Sequence, residues 1–284
     1  MMTPLVPGTG AWAPLDDGSV GEDLRDHPDL LHQLGAAQIP AIVMRQAYGR
    51  EDCRQLMARF VERKLIRDPK ALAENDERTR IDVGTSLGTK GDDRGSFFAH
   101  AAETHALFAN LFDGIIDPVR LLYDQLQALA GDKRVLNARE PDGRLYGPAI
   151  FRVHYDGHTY RPHIDHVTLR EKRFDYAVTR FDHQFAGVLC VQNASETGES
   201  TQGLLHRCLW TEELQPHIAE GTFYDVVQAH DIEHCRVELE PGDLYFFNTR
   251  LIHEVPAVSG SDPRAVLAVF IGYSDDDDEI YVWS

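Results

Sequence analysis

The sequence predicts an α+β fold, with helices gathered in the first half of the chain and an antiparallel double sheet in the second. Two observations carry this expectation. Before about residue 140 the apolar residues recur at helical spacing, and from Tyr146 onward the chain breaks into short β-type runs. Strands that follow helices, in place of alternating βαβ units, argue that the helices pack on one face of that double sheet. No internal repeat is found, and 284 residues suit one domain spanning 1–284 with a large core.

Residues 1–35 are rich in Pro, Gly and Asp, which predicts an irregular arm ending in a short helix near Asp29 to Leu34. Ile39 to Val43 reads as a short apolar strand. Behind it Cys53, Leu56, Met57, Phe60 and Val61 repeat as one helical stripe. A stronger helix starts at Asp117, whose side chain suits the free amides of a first turn. Pro118 fits its opening position, and Val119, Leu122, Tyr123, Leu126 and Leu129 form its apolar stripe. Gly131 is placed to end it. Residues 1–140 are thus read as an arm and helical support for a sheet core over 141–284. The strand-type runs are Ala149 to Tyr155, Phe185 to Gln192, Gly203 to Trp210, Val237 to Leu239, Leu244 to Asn248 and Val266 to Tyr273. The carboxylate run Asp275 to Glu279 is read as a solvated loop before the last strand-like residues, and no metal is assigned to it.

Composition narrows the function. With 46 acidic against 28 basic residues and a net charge of -18, the surface repels polyanions, which argues against nucleic acid and anionic membrane and for a small-molecule partner. Cys53, Cys190, Cys208 and Cys235 lie far apart, so they are expected to be reduced and structural. Residues 1–26 hold neither a basic leader nor an apolar h-region, and no long uninterrupted apolar stretch occurs. A cytoplasmic protein is expected. The sequence leaves a homodimer open.

The chemistry concentrates in Arg152 to His166, RVHYDGHTYRPHIDH. His163 and Asp165 are separated by one residue, so extended backbone projects both to one face. Further on, Pro241, Gly242 and Asp243 form a turn that launches the apolar strand Leu244 to Asn248, and His253 follows in LIHEV. Two imidazoles and one carboxylate on one face of an octahedral ion leave three positions open, the arrangement in which non-haem iron(II) takes a co-substrate and dioxygen. A closed zinc site would need a fourth ligand. Arg264 opens the apolar run Ala265 to Gly272, and its fork of donors suits the distal carboxylate of a dicarboxylic co-substrate.

This order of H-x-D, then P-G-D-L-x-x-F, then His, then Arg on the last core strand, resembles the iron(II)/2-oxoglutarate-dependent oxygenase superfamily over about Tyr146 to Tyr273. RVHYDG before the metal pair and AVFIGY after the Arg are similar to the stand-alone aliphatic halogenases and hydroxylases that act on indole alkaloids and free amino acids. The resemblance implies a double-stranded β-helix, or jelly-roll, core. It also implies iron(II), 2-oxoglutarate and dioxygen as cofactors, His163, Asp165 and His253 as metal ligands, and Arg264 as the 2-oxoglutarate anchor. Val266 stands where many relatives have a Ser. The long interval from Asp165 to His253 implies an insertion near Ser195 to Gln202 or Glu212 to His230. Halogenating relatives put a small residue at the position of Asp165, leaving room for chloride on the metal. A carboxylate there implies hydroxylation of an unactivated C–H bond in an amino acid or specialised metabolite.

Around the site, Tyr155 is a candidate donor to the co-substrate carboxylate, against a Tyr satisfied by backbone. Arg152 is a candidate for substrate binding, against a strand Arg paired with a local acid. His154, His158 and His166 are read as neighbours of the metal and not ligands. Trp210 and Phe223 to Val227 are read either as ordinary packing or as a pocket wall on a mobile insert. Two rival readings stay open: a non-catalytic jelly-roll binding module, and a cupin-type metalloenzyme that uses no keto acid and takes extra ligands from the 154–166 histidines.

Overall fold

The computed structural model describes residues 6, 11–17, 24, 29–68, 78–194 and 201–284. In chain order the first half runs β1 (Leu15–Asp16), α1 (Leu30–Gly35), β2 (Ala41–Met44), α2 (Arg50–Glu62), β3 (Arg80–Gly84), α3 (Leu87–Lys90), α4 (Arg94–Phe108), α5 (Pro118–Leu129) and β4 (Arg134–Asn137). The second half runs β5 (Ile150–His154), β6 (Tyr160–His163), β7 (His183–Gln192), β8 (Thr201–Leu209), α6 (Gln215–Glu220), α7 (Phe223–His230), β9 (His234–Glu238), β10 (Leu244–Asn248), β11 (Leu251–Val255), β12 (Arg264–Tyr273) and β13 (Glu279–Trp283). Most of the described helices lie in the first half and most of the strands in the second, but β1 to β4 are interspersed with the N-terminal helices and α6 and α7 lie among the later strands.

The strands form two sheets. The larger is ordered β1-β2-β10-β7-β12-β13-β4, with β5 also paired to β12 and β3 to β5. The smaller is ordered β6-β11-β8-β9. Alternation along each strand sorts the residues of the larger sheet into two cores. Leu189, Phe246, Leu267 and Val269 face the helices, where Leu56 and Phe60 of α2 and Leu122 and Leu126 of α5 meet them. Val188, Tyr245, Phe247, Val266 and Ala268 face inward, against Leu205, Val237 and Leu251 of the smaller sheet.

The local signals at α5 work as read. Asp117 accepts from the amides of Val119 at 2.8 Å and Arg120 at 3.1 Å, and Pro118 occupies the first turn. The sequence reading does not single out α4: its buried Phe97, Ala101, Thr104 and Phe108 recur at helical spacing, but the stripe includes a polar Thr, and Ala102 and Ala106 lie on the exposed side, so the apolar contrast is weak. This helix is packed against Tyr146, Tyr176 and Trp283 at the end of the larger sheet.

One expectation is corrected, and one open alternative is decided in favour of ordinary packing. The N-terminal helices α1, α2 and α5 cover one sheet, but α6 and α7, in the β8–β9 connection, cover the outer face of the other. Trp210, Phe223 and Val226 pack there with Ile164, Cys208 and Ile252. They therefore form a core of their own and do not wall the central cavity. Of the other expected insert, residues 195–200 lie outside the described residues, and Thr201 and Gln202 belong to β8. All four cysteines are free. Among the described residues no helix is long and apolar enough to cross a membrane.

Candidate metal centre

The site lies between the two sheets at one end of the inner core. β6 and β11 are antiparallel neighbours, and His163 and His253 are direct partners in that ladder, with ring centroids 4.3 Å apart. Pro162 is tolerated in β6 because this strand is the edge of the smaller sheet. The register of β11 shifts on both sides of His253, against β8 before it and β6 after it. Such irregularities re-aim a side chain.

Asp165 lies just past the end of β6, so the strand brings only His163. Backbone contacts position the carboxylate instead. The amide of Asp165 donates to the carbonyl of Thr249 at 3.2 Å, and Gln184 Nε2 donates to the Asp165 carbonyl at 3.2 Å. Oδ2 of Asp165 then stands 3.6 Å from His253 Nε2 and 3.9 Å from His163 Nε2. Both gaps are shorter than about 4.2 Å, twice a typical metal–nitrogen bond, so one ion can bridge them. Among the described residues this is the one group of three such side chains whose ligand atoms converge, all within 4.8 Å.

The tautomers are fixed by partners that can only accept. His163 Nδ1 is 2.7 Å from the carbonyl of Arg161, and His253 Nδ1 is 2.8 Å from that of Leu251. Each Nδ1 therefore carries the proton and each Nε2 presents its lone pair to the site. Burial, and next the charge of His253, pushes His163 down to about 4, so this imidazole is neutral at neutral pH. Burial alone would raise the Asp165 carboxyl. The contact with His253 and the charges of His163, His253 and Arg170 nonetheless hold it well below the usual carboxylate range. The permanent charge of Arg170 adds to the contact with His253 in keeping Asp165 ionised. Arg170 donates to Asp165 Oδ1 at 2.5 Å and to the Ile164 carbonyl at 2.8 Å. It comes from a turn capped by His166, whose Nδ1 faces the amides of Thr168 at 3.3 Å and Leu169 at 3.4 Å. Two imidazoles whose Nδ1 atoms are committed to backbone carbonyls and a monodentate carboxylate, with open cavity beyond them, fit a divalent metal that keeps free positions.

The cavity encloses about 190 Å³. Arg264 lies in its wall, 6% exposed, with Nε donating to Gln202 Oε1 at 2.6 Å and Nη1 to His154 Nδ1 at 2.9 Å. Among the described residues it meets no carboxylate, and burial lowers its pKa from the usual arginine value. A buried cation of this kind calls for an anionic ligand. Arg152 also lines the cavity.

Tyr155 does not reach the cavity. In β5 the residues Ile150, Arg152 and His154 point inward, while Phe151 and Val153 point to the helices. Tyr155 continues the outward set and packs beside that core, where its hydroxyl accepts from the Arg67 amide at 3.1 Å. Two other tyrosines, Tyr160 and Tyr245, line the cavity, and the oxygen of Tyr160 accepts from Arg80 Nη1 at 2.7 Å and lies 3.4 Å from His154 Nε2. Because His154 Nδ1 receives the Arg264 proton, Nε2 carries the hydrogen. The Tyr160 oxygen then has two donors, and its own proton is left to give. Sequence reasoning missed both Tyr160 and Arg170. Tyr160 lies three residues before His163, so strand parity alone would turn it away from the metal, and it enters the cavity because the β6–β11 register shifts between them; Arg170 had no signal.

A family model described as carrier-protein-independent halogenase WelO5 matches residues 19–284. The chain belongs to that family. As a WelO5-family protein it is an iron(II)/2-oxoglutarate oxygenase of the stand-alone halogenase branch, using iron(II), 2-oxoglutarate and dioxygen. A comparison with curated proteins returns no match. Among solved structures, an N-substituted L-amino acid dioxygenase from Burkholderia ambifaria AMMD is 17% identical, with a TM-score of 0.57 over 89% of this chain and 90% of that one. The same dioxygenase in complex with alpha-KG gives the same values. At that identity the likeness is one of fold, which the WelO5-family chain shares.

Proposed function

We propose that this WelO5-family chain is a hydroxylase of an unactivated C–H bond in a small molecule, an amino acid or specialised metabolite, and not a halogenase. The observation that carries the reading is Asp165. A carboxylate occupies the position that halogenating relatives leave small, and Arg170 ties its outer oxygen, so the inner oxygen competes with any halide for the metal. The strand order supports a jelly-roll core. β5-β12-β7-β10 lie side by side in one sheet and β6-β11-β8-β9 in the other, so from β5 to β12 the chain changes sheet at every step except β8 to β9, which are paired neighbours.

In this reading His163, Asp165 and His253 hold iron(II), which with 2-oxoglutarate couples dioxygen reduction to oxidative decarboxylation and supplies the power to cleave a C–H bond. Arg264 receives the distal carboxylate of 2-oxoglutarate, with Tyr160 as a second donor on the same wall in place of Tyr155. Arg152 faces the substrate. Val188, Leu205 and Phe247 make the adjoining wall apolar and keep bulk water from the reacting carbon.

The test is to load the protein with iron(II) and 2-oxoglutarate without oxygen, look for the visible charge-transfer band, and then admit oxygen and chloride with a panel of amino acids and alkaloid-like compounds. A mass gain of one oxygen atom, with succinate formed, is the expected result. Replacement of hydrogen by chlorine would overturn the hydroxylase reading. Failure to bind the keto acid at all would favour a cupin-type enzyme or a binding module.

A further inference from the structure

The cavity carries more positive charge than the keto acid uses. Of its acidic lining residues, Asp165 belongs to the triad and Glu171 is ion-paired with Arg173. Glu254 faces His206 Nε2 at 2.9 Å and accepts from the Tyr224 hydroxyl at 2.5 Å. Asp82, the register partner of Arg152 across β3 and β5, is held by both prongs of Arg80, at 2.7 Å and 2.5 Å. Arg170 is committed to Asp165. Two guanidinium groups in the wall remain without a carboxylate among the described residues: Arg264 and Arg152.

They are not equivalent. Arg264 already donates to Gln202 and His154. Among the described residues the side chain of Arg152 makes no hydrogen bond, and its Nε is buried with no partner. On β5 it is two residues from His154, the register partner of Arg264, so the two guanidinium groups share a face but start from rows about 7 Å apart. A keto acid bound between the metal and Arg264 leaves Arg152 unused. On the far side of Arg152 the next inward row is apolar, with Ile150 opposite Ala268 and Ala268 opposite Val188.

We propose that Arg152 binds the carboxylate of the substrate, and that the substrate is an organic acid with an apolar body whose nitrogen, if it has one, is acylated or otherwise uncharged. This rests on the hydroxylase reading above and narrows it. A free amino acid is disfavoured because each lining carboxylate is already engaged. With Arg264 paired to the keto acid and Arg152 to the substrate carboxylate, its ammonium would be left in the cavity with no free counter-charge, and an unpaired buried charge discriminates strongly.

The experiment titrates the anaerobic iron(II)–2-oxoglutarate complex by calorimetry with matched probes: N-acetyl-L-leucine, N-acetyl-L-phenylalanine and indole-3-propionate, each beside its uncharged amide, with L-leucine and L-phenylalanine as zwitterions. At least one acid is expected to bind about ten- to a hundredfold more tightly than its amide and its zwitterion, the range for a charge-assisted hydrogen bond. Arg152→Gln should erase the acid-over-amide preference and leave 2-oxoglutarate half-saturation of the charge-transfer band unchanged, whereas Arg152→Lys should keep part of the preference. An unchanged preference in Arg152→Gln, zwitterions binding best, or loss of 2-oxoglutarate binding in that variant would each overturn the proposal. If wild type shows no charge-transfer band, the oxygenase reading fails by itself. The acid-against-amide comparison on metal-free wild type and Arg152→Gln then still decides the role of Arg152.

Discussion

Arg170 and Asp165 are joined by a 2.5 Å contact that commits one carboxylate oxygen to the protein and leaves the other facing His253. The guanidinium thus orients the acid that completes the triad. Arg170→Ala is expected to weaken iron(II) binding by roughly 10- to 100-fold, the usual cost of losing a partner that orients a metal ligand. Chelator competition under anaerobic conditions measures it. Unchanged affinity would mean that the backbone contacts of Asp165 suffice.

Asp165→Ala removes the ligand itself. The expected outcome is loss of hydroxylation together with a larger drop in iron affinity than Arg170→Ala produces. Full activity without any added ligand would remove Asp165 from the metal site.

Arg264→Ala should raise the 2-oxoglutarate concentration for half-saturation by about 100-fold or more, because charged hydrogen bonds contribute roughly 1.5–3 kcal/mol each. Arg264→Lys keeps the charge but not the fork and should fall between. Titration of the charge-transfer band separates the three proteins, and identical curves would place the anchor elsewhere.

His163 and His166 are both pushed by burial from 6.5 down to about 4. The unfolded chain therefore binds more protons than the folded one between those values, so stability is highest above about pH 6.5 and declines as pH falls toward about 4. Each group contributes up to about 3 kcal/mol to that decline. Urea midpoints of the metal-free protein from pH 7 to 4.5 test this, and His166→Asn should flatten the profile. The decline includes a local part, since protonated His166 Nδ1 no longer accepts from Thr168 and Leu169.

Asp117→Ala should cost about 1 kcal/mol, the typical value for a lost helix N-cap, with no change in iron or keto-acid binding. A change in cofactor affinity would show that α5 is coupled to the site.

Residue type and local spacing decided much by themselves. Asp117 and Pro118 start a helix wherever they precede an apolar stripe, and Leu244 to Asn248 is a strand with the bounds read from its turn and its run of apolar residues. The H-x-D pair, the distal His253 and Arg264 carry ligand chemistry that needs no neighbours to be recognised. What the sequence could not decide depends on pairing between distant segments. β6 and β11 are short and partly polar, and they become strands because each pairs with the other and places His163 opposite His253. Tyr155 and Tyr160 look alike in the sequence, yet β5 parity turns one toward the helices, and the edge strand β6 brings the other into the cavity. Arg170 holds Asp165 only because a turn capped by His166 folds it back, and Arg152 lacks an acid only because Arg80 has taken Asp82. Partner choice among buried charges is a property of the assembled sheets, where a single register sets which groups meet.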